Sequence, residues 1–126
     1  MASVSNTQSI DPDQLVKRMQ SGSALQIFDV RRAVAFAENP RMIDGASRLV
    51  PWNLPGALEQ LRFAGRERYQ LVMVCVYGHA VSQTACTIAR CHGFYAVFLA
   101  GGLEGWTARG YPTFGQANSA DKGYQA

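Results

Sequence analysis

The stretch from Leu71 to Ser82 constrains the fold of this chain more than any other part of the sequence. Its first four residues, 71–74, are apolar and predict a buried strand, and Cys75 follows them at the start of a short loop. Behind the loop, apolar residues recur at the spacing of a helix with one buried face, namely at Val81, Ala85, Ile88 and Ala89. The sequence therefore predicts a strand–loop–helix unit with a thiol at the carboxyl end of the strand.

The position of Cys75 favours sulfur chemistry over simple packing. Backbone N–H groups and the helix dipole favour negative charge at a helix N terminus. The charged form of cysteine is the thiolate, which is the nucleophile. Free cysteine is often a small core residue, but Cys75 ends the apolar run and precedes a loop that contains Gly78. We therefore predict that Cys75 is a reactive nucleophile.

The loop after Cys75 is a candidate anion-binding cradle. Gly78 allows a positive φ, so that successive N–H groups can turn inward, although an ordinary strand-to-helix turn is the alternative. The candidate loop residues are Val76, Tyr77, Gly78, His79 and Ala80.

Three side chains near this loop have two interpretations each. His79 either orients a donor anion or supplies a proton, or it only fills the loop and contacts water. Tyr77 either forms a wall of the pocket or marks a partner surface. Ser82 either caps the helix or adds a hydrogen bond to the site.

Size and composition place the chain among single-domain proteins of a reducing compartment. It has 126 residues, a formal charge of +3 and no cluster of Lys and Arg, so we expect no nucleic-acid partner. A disulfide framework is not expected, because the chain has only three cysteines, an odd number: Cys75, Cys86 and Cys91. No signal peptide and no membrane span is evident, and we expect a cytoplasmic location without a membrane partner.

Short apolar strands alternate with helices along the chain. The strands are expected at 24–30, 47–50, 71–74 and 96–99, and the helices near 12–21, 54–61, 81–92 and 103–109. This order predicts an α/β fold with a central parallel sheet of about five short strands and helices on both faces. The predicted domain covers residues 9–113, with a flexible N terminus at 1–8 and a flexible C-terminal tail at 114–126.

Four separate motifs resemble single-domain rhodaneses, the thiosulfate sulfurtransferases. They are Phe28-Asp29-Val30-Arg31, Ile43-Asp44-Gly45-Ala46, the Cys75-x-x-Gly78 loop, and Leu99-Ala100-Gly101-Gly102 followed by Trp106 and Gly110-Tyr111-Pro112. The resemblance covers about residues 9–113 and implies a rhodanese-like fold. It also implies that Cys75 takes sulfur from a small sulfur-containing anion, forms a persulfide and passes the sulfur to a thiol or cyanide, without a cofactor.

The sequence also departs from related patterns. Many rhodaneses carry Arg or Lys in the loop, whereas here only His79 can become cationic, so thiosulfate is not assured as the donor. Phosphatases of the same fold family have an arginine six positions after the cysteine, where this chain has Val81, which argues against phosphate-ester hydrolysis. The alternative to an enzyme is a persulfide relay or thiol sensor that acts on a protein sulfur acceptor.

The remaining candidate residues are expected to be mainly structural. The resemblance implies that Asp29 and Arg31 tie down loops at the sheet edge, although Arg31 could instead lend positive charge near the thiolate. Cys86 and Cys91 are expected to pack, with a resolving role for an oxidised Cys75 as the alternative. His92 is expected to be partly buried, and no group of residues has metal-ligand spacing.

Overall fold

A computed structural model describes residues 8–115 of the chain, and a five-stranded parallel sheet forms its centre. Along the chain, the strands are β1 (Ser9–Ile10), β2 (Leu25–Asp29), β3 (Arg41–Met42), β4 (Ala46–Arg48), β5 (Gln70–Val74), β6 (Tyr95–Leu99) and β7 (Phe114–Gly115). The helices are α1 (Pro12–Gln20), α2 (Ala33–Glu38), α3 (Leu54–Phe63), α4 (Ala80–Cys91) and α5 (Gly102–Ala108), with a short 3-10 helix at Pro51–Asn53. The sheet order is β1-β6-β5-β2-β4.

The central strand β5 separates two apolar layers. Leu71 and Met73 pack on one face, with side chains of α3 and α4, whereas Val72 and Val74 pack on the other, with α1 and α5. All four are at most 1% exposed, and burying each such side chain contributes about 1.5–3 kcal/mol. The apolar run is continuous because the strand is buried on both faces. The parallel sheet between two helical layers confirms the predicted α/β fold class.

Helix α1 begins as its sequence predicts. The Asp11 carboxylate accepts a hydrogen bond from the backbone N–H of Gln14 at 2.8 Å, and the Gln14 side chain accepts one from the N–H of Asp11 at 2.9 Å. This reciprocal pair satisfies two N–H groups that would otherwise lack partners.

Helix α2 lies in a segment for which the sequence predicts no regular structure. The helix has no buried residue, so its sequence lacks the apolar periodicity that marks the other helices. Phe36 instead packs under two guanidinium groups, with Arg31 5.0 Å and Arg48 4.5 Å from the ring centroid. These contacts come from two other strand ends, which is why the local pattern missed the helix.

Both ends of the predicted domain differ from expectation. Phe114 was placed in a flexible tail, but β7 pairs antiparallel with β3, where Met42 faces Phe114. Strand β1 adds an edge strand to β6, with Ile10 opposite Leu99. Such two-residue strands are too short to produce a pattern in the sequence. The rest of the predicted flexible ends, 1–7 and 116–126, lies outside the described residues.

The beginning of α5 holds the loop after β5 in place. The N–H of Leu103 donates to the Cys75 carbonyl at 2.8 Å, and the N–H of Glu104 donates to the Val76 carbonyl at 3.0 Å. Gly102 has φ +62°, and a Cβ there would lie 2.5 Å from the Cys75 carbonyl oxygen and would also overlap the Val76 carbonyl. Only glycine permits this close approach of the two backbones.

We expect Gly102→Ala to destabilise the protein far more than Gly110→Ala. Both glycines have positive φ, which costs an alanine about 1–2 kcal/mol, but only Gly102 lacks space for a Cβ. Urea unfolding of the two variants measures the difference. Equal losses of unfolding free energy would contradict the proposed close contact between α5 and the loop.

Candidate active site

Cys75 follows the last residue of β5 and lies at the edge of an open cavity. Its side chain is buried among apolar residues on one side, with 6% of the residue exposed, and on the other it lines a cavity of about 230 Å³. The cavity is formed by the segments that follow β2 and β5 at the carboxyl edge of the sheet, where parallel α/β folds bind ligands. Its other lining residues are Arg31, Arg32, Ala35, Val76, Tyr77, His79, Ala80 and Val81.

The loop from Val76 to Ala80 leaves its backbone N–H groups available. Within residues 8–115, no carbonyl or side chain accepts a hydrogen bond from these five N–H groups. Gly78 has φ +77°, and a Cβ at this position would lie 2.7 Å from the Leu99 carbonyl oxygen. A curled loop with free N–H groups at the start of α4 matches the geometry of an anion cradle.

Ser82 lies against the sulfur instead of capping α4. Its Oγ is 3.1 Å from the Cys75 Sγ, and its hydroxyl donates to the His79 carbonyl at 3.3 Å. The residue at the N-cap position is His79, and its side chain forms no capping hydrogen bond, so the capping interpretation of Ser82 is wrong. In the thiolate state the sulfur has no proton to donate, and the fully buried Ser82 hydroxyl can donate to it instead.

Side chains on the loop partly shape the cavity entrance. The rings of Tyr77 and His79 stack with their centroids 6.2 Å apart, and Tyr77 is 59% exposed. The Gln83 amide donates to the Gly78 carbonyl at 3.1 Å and fixes the loop against the first turn of α4. Both rings line the cavity, so Tyr77 has one face toward the site and another toward solvent.

Asp29 and Arg31 form a buried ion pair behind the cavity. The Arg31 guanidinium donates to both Asp29 carboxylate oxygens, at 2.8–3.1 Å, and neither side chain is more than 2% exposed. Two further guanidinium N–H groups donate to the carbonyls of Asn39 at 2.7 Å and Arg41 at 2.9 Å. The pair ties the α2–β3 connection to the sheet edge, and the Arg31 charge is balanced by Asp29, which supports the structural interpretation.

The cysteines and histidine outside the loop differ in their surroundings. Cys86 is buried in the apolar layer of α3 and α4, and this burial raises the pKa of its thiol to about 12, so it stays protonated. Cys91 was expected to pack but is exposed at the end of α4. His92 was expected to be partly buried but is exposed, with its Nδ1 3.0 Å from the Ile88 carbonyl. Both lie where the helix ends and the apolar face no longer meets the sheet.

Arg32 is the site residue that the sequence reasoning missed. It lines the Cys75 cavity, and no carboxylate of the described residues lies within ion-pair distance of it. Arg32 lies three positions after the end of β2, which is the hydrogen-bonded neighbour of β5. Because neighbouring parallel strands end at the same sheet edge, its position after β2 was the available signal.

The described part of the chain has neither a cluster of metal ligands nor a membrane-spanning helix. No three His, Cys, Asp or Glu side chains there come together as metal ligands. No described helix has the length and apolar character to cross a membrane.

The match to a known family is extensive. Residues 11–109 match the family model described as a rhodanese-like domain. The chain therefore belongs to the rhodanese-like domain family, as its motifs predicted. No curated protein matches the chain.

Several solved structures share the fold. The thiosulfate sulfurtransferase of Pseudomonas aeruginosa superposes with a TM-score of 0.71 at 24% identity, over 86% of this chain but only 19% of that protein. A full-length protein from Lactobacillus plantarum superposes at 0.72 with 27% identity, over 83% of this chain and 85% of its own. A Rhodopseudomonas palustris protein of unknown function, described as a possible tyrosine phosphatase, gives 0.73 at 20% identity, over 86% of both chains. These similarities confirm the fold, and the family supports a sulfurtransferase class.

We expect Asp29→Ala to destabilise the protein by about 3–5 kcal/mol, because it leaves the Arg31 charge buried without a partner. Chemical denaturation measures the loss. The control is Asp13→Ala, which breaks the exposed ion pair with Arg109 and should cause a much smaller change. The double variant Asp29→Ala with Arg31→Met should recover part of the stability, and a double variant no more stable than Asp29→Ala would contradict this account.

We expect Cys75 to react first when the native protein is alkylated at neutral pH, because the loop N–H groups and Ser82 favour its thiolate. Cys91 is exposed and serves as the reference thiol, whereas Cys86 should react last because its pKa is about 12 and it is buried. Iodoacetamide labelling followed by peptide mass analysis gives the three rates. If Cys75 reacts no faster than Cys91, the cradle does not stabilise a thiolate.

Proposed function

We propose that this protein is a sulfurtransferase that carries sulfane sulfur on Cys75 as a persulfide. One observation supports this most directly: Cys75 lines an open cavity, and it lies beside the Ser82 hydroxyl and a loop whose five N–H groups have no acceptor within residues 8–115. This arrangement suits a sulfur atom that becomes an anionic nucleophile and then an anionic carrier. Membership of the rhodanese-like family supports the same chemistry.

In the first step, the Cys75 thiolate attacks the outer sulfur of a donor such as thiosulfate. The new S–S bond forms as the sulfur–sulfur bond of the donor breaks, and sulfite leaves with the electron pair. The product is an anionic persulfide on Cys75. The N–H groups from Val76 to Ala80 can hold this charge without moving, since Gly78 and α5 already fix the loop.

In the second step, an acceptor removes the outer sulfur. Cyanide attacks it to give thiocyanate, and a thiolate attacks it to give a new persulfide. In both cases Cys75 leaves as the thiolate, so charge is conserved and the site returns to its first state. The cycle needs no general base and no cofactor, because each turnover returns Cys75 as the thiolate that begins the next one.

Two alternatives make different demands on the site. A persulfide relay or thiol sensor would pass sulfur to a protein acceptor, and the exposed face of Tyr77 is a candidate contact for it. A phosphatase would need a bidentate cation six positions after Cys75, but Val81 occupies that position and has no charge. The site therefore supports sulfur transfer over phosphate-ester hydrolysis.

The proposal also includes a reducing location such as the cytoplasm. Its support is the state of the thiols: all three cysteines are free, and Cys75 must stay reduced to attack a donor.

We expect thiocyanate to form when the protein is mixed with thiosulfate and cyanide, and Cys75→Ser to abolish it because a hydroxyl cannot carry the sulfur. Cys91→Ser, which removes an exposed thiol at the end of α4, is the matched control and should retain the wild-type rate. Intact-mass analysis after thiosulfate alone should show one added sulfur on the wild type only. A stable persulfide with negligible thiocyanate would favour the relay, and no added sulfur from any donor would exclude both.

A further inference from the structure

An apolar groove continues from the Cys75 cavity between α2, the 3-10 helix and α4, and it encloses about 660 Å³. Because the groove and the cavity share Arg32, Ala80 and Val81, they form one continuous depression. The main apolar walls of the groove are Val34, Trp52, Leu54, Ala85 and Ile88.

The walls of the groove extend too far into solvent to enclose a small ligand. Val34 is 72% exposed and Trp52 is 77% exposed, although the Trp52 indole was expected to pack in the core or at its rim. Small-molecule sites typically bury about 70–90% of their ligand, whereas these walls would leave one side of it open. Trp, Tyr and Arg are the residues that most often dominate protein interfaces, and Trp52, Tyr77 and Arg32 all border the depression. The surface therefore favours a protein over a free small thiol.

Cys75 lies too deep for a flat protein surface to reach it. It is only 6% exposed, and the cavity in front of it encloses about 230 Å³. A helix with its side chains is about 10–12 Å across and would not enter such a space. A protein that exchanges sulfur with Cys75 must therefore present its own cysteine on an extended segment.

The length of the groove sets the spacing of side chains on such a segment. From Ala80, beside the cavity, to Ile88, at the other end, α4 rises about 12 Å, since a helix rises about 1.5 Å per residue. An extended segment advances about 3.3 Å per residue, and every second side chain points to the same face. A cysteine and an apolar residue four positions away therefore face the groove together, about 13 Å apart.

Arg32 supplies positive charge between these two points. Its neighbour Arg31 is neutralised by Asp29, whereas Arg32 has no carboxylate within ion-pair distance among residues 8–115. Because Arg32 lines both the cavity and the groove, it faces the middle of a segment that extends from one to the other. An acidic residue two positions from the cysteine points to the same face and complements this charge.

We propose that the groove binds an extended segment of a protein sulfur acceptor that carries an acidic residue two positions, and a large apolar residue four positions, from its cysteine. The proposal rests on the sulfurtransferase function above and assigns the groove to the second step. The acceptor cysteine enters the cavity, its neighbouring carboxylate meets Arg32, and the apolar side chain lies against Trp52 and Ile88.

The transfer step balances without an oxidant or a reductant. The acceptor cysteine loses its proton to water, and its thiolate attacks the outer sulfur of the Cys75 persulfide. A bond forms between these two sulfurs while the bond between the outer sulfur and the Cys75 Sγ breaks. Cys75 leaves as the thiolate with the electron pair, and the acceptor carries the persulfide with its negative charge.

The test measures the second step alone, on protein converted to the persulfide and freed of excess donor. The acceptors are acetylated and amidated peptides of Gly and Ser that carry a cysteine, an aspartate two positions away and a leucine four positions away, synthesised in both chain directions. Replacing the leucine with serine, or moving it next to the cysteine, should raise the half-saturating peptide concentration by about tenfold, because the apolar side chain then leaves the groove. Replacing the aspartate with lysine should raise it by at least about threefold.

Three variants locate the two contacts. Trp52→Ala should reduce the preference for the leucine peptide over the serine peptide severalfold. Phe63→Ala removes an exposed aromatic that does not line the groove, and it should leave this preference as in the wild type. Arg32→Glu should reverse the charge preference, so that the lysine peptide becomes the better acceptor.

The outcomes separate this proposal from the proposed function. If cyanide removes the sulfur but the leucine and serine peptides react equally, or if Trp52→Ala leaves their ratio unchanged, the groove is not an acceptor subsite while the sulfurtransferase function stands. Phenylmethanethiol that half-saturates at the concentration of the leucine peptide would assign the groove to small thiols. A dimer of the protein that Trp52→Ala dissociates would assign it to a second copy of the chain. Either result overturns the proposal. If no donor yields a persulfide, the proposed function itself fails.

Discussion

The contact between the start of α5 and the loop after Cys75 is the constraint on which the site depends. Two N–H groups of α5 bind the carbonyls of Cys75 and Val76, and Gly102 allows the two backbones to meet without a side chain between them. The Cys75 and Val76 carbonyls are held on one side, and the loop N–H groups, which have no acceptor within residues 8–115, remain available to a ligand. The loop proposed as the anion cradle is therefore preformed by a contact with a distant segment, and the proposed reaction requires no reorganisation of it.

Two consecutive arginines at this edge of the sheet, Arg31 and Arg32, have different surroundings. Arg31 is buried, paired with Asp29 and bound to two backbone carbonyls, so its role is to hold the α2–β3 connection. Arg32 begins α2 on the exposed side and lines both cavities. Arg31 therefore serves stability while Arg32 remains the candidate for a ligand contact, because most of the Arg31 guanidinium N–H groups are already bound to Asp29, Asn39 and Arg41.

The cysteines show how environment sets the chemistry of one residue type. Cys86 lies in the apolar layer, where burial raises its pKa to about 12, and it behaves as a small hydrophobic residue. Cys75 borders the same layer but has Ser82 and the loop on its other side. The protein thus keeps one thiol inert and places another, eleven positions earlier, next to hydrogen-bond donors.

The sequence by itself determined the sheet, its two helical layers and the position of Cys75 after β5, because buried strands and amphipathic helices leave periodic apolar patterns in short stretches of chain. It could not determine the contacts between distant segments. Helix α2 depends on the arginines that cover Phe36, β1 and β7 depend on partner strands, and Ser82 turns to the sulfur because β5 places Cys75 beside it. The tertiary structure alone decided that Arg32 and Trp52 border one continuous groove, since the residues that form it come from three separate parts of the chain.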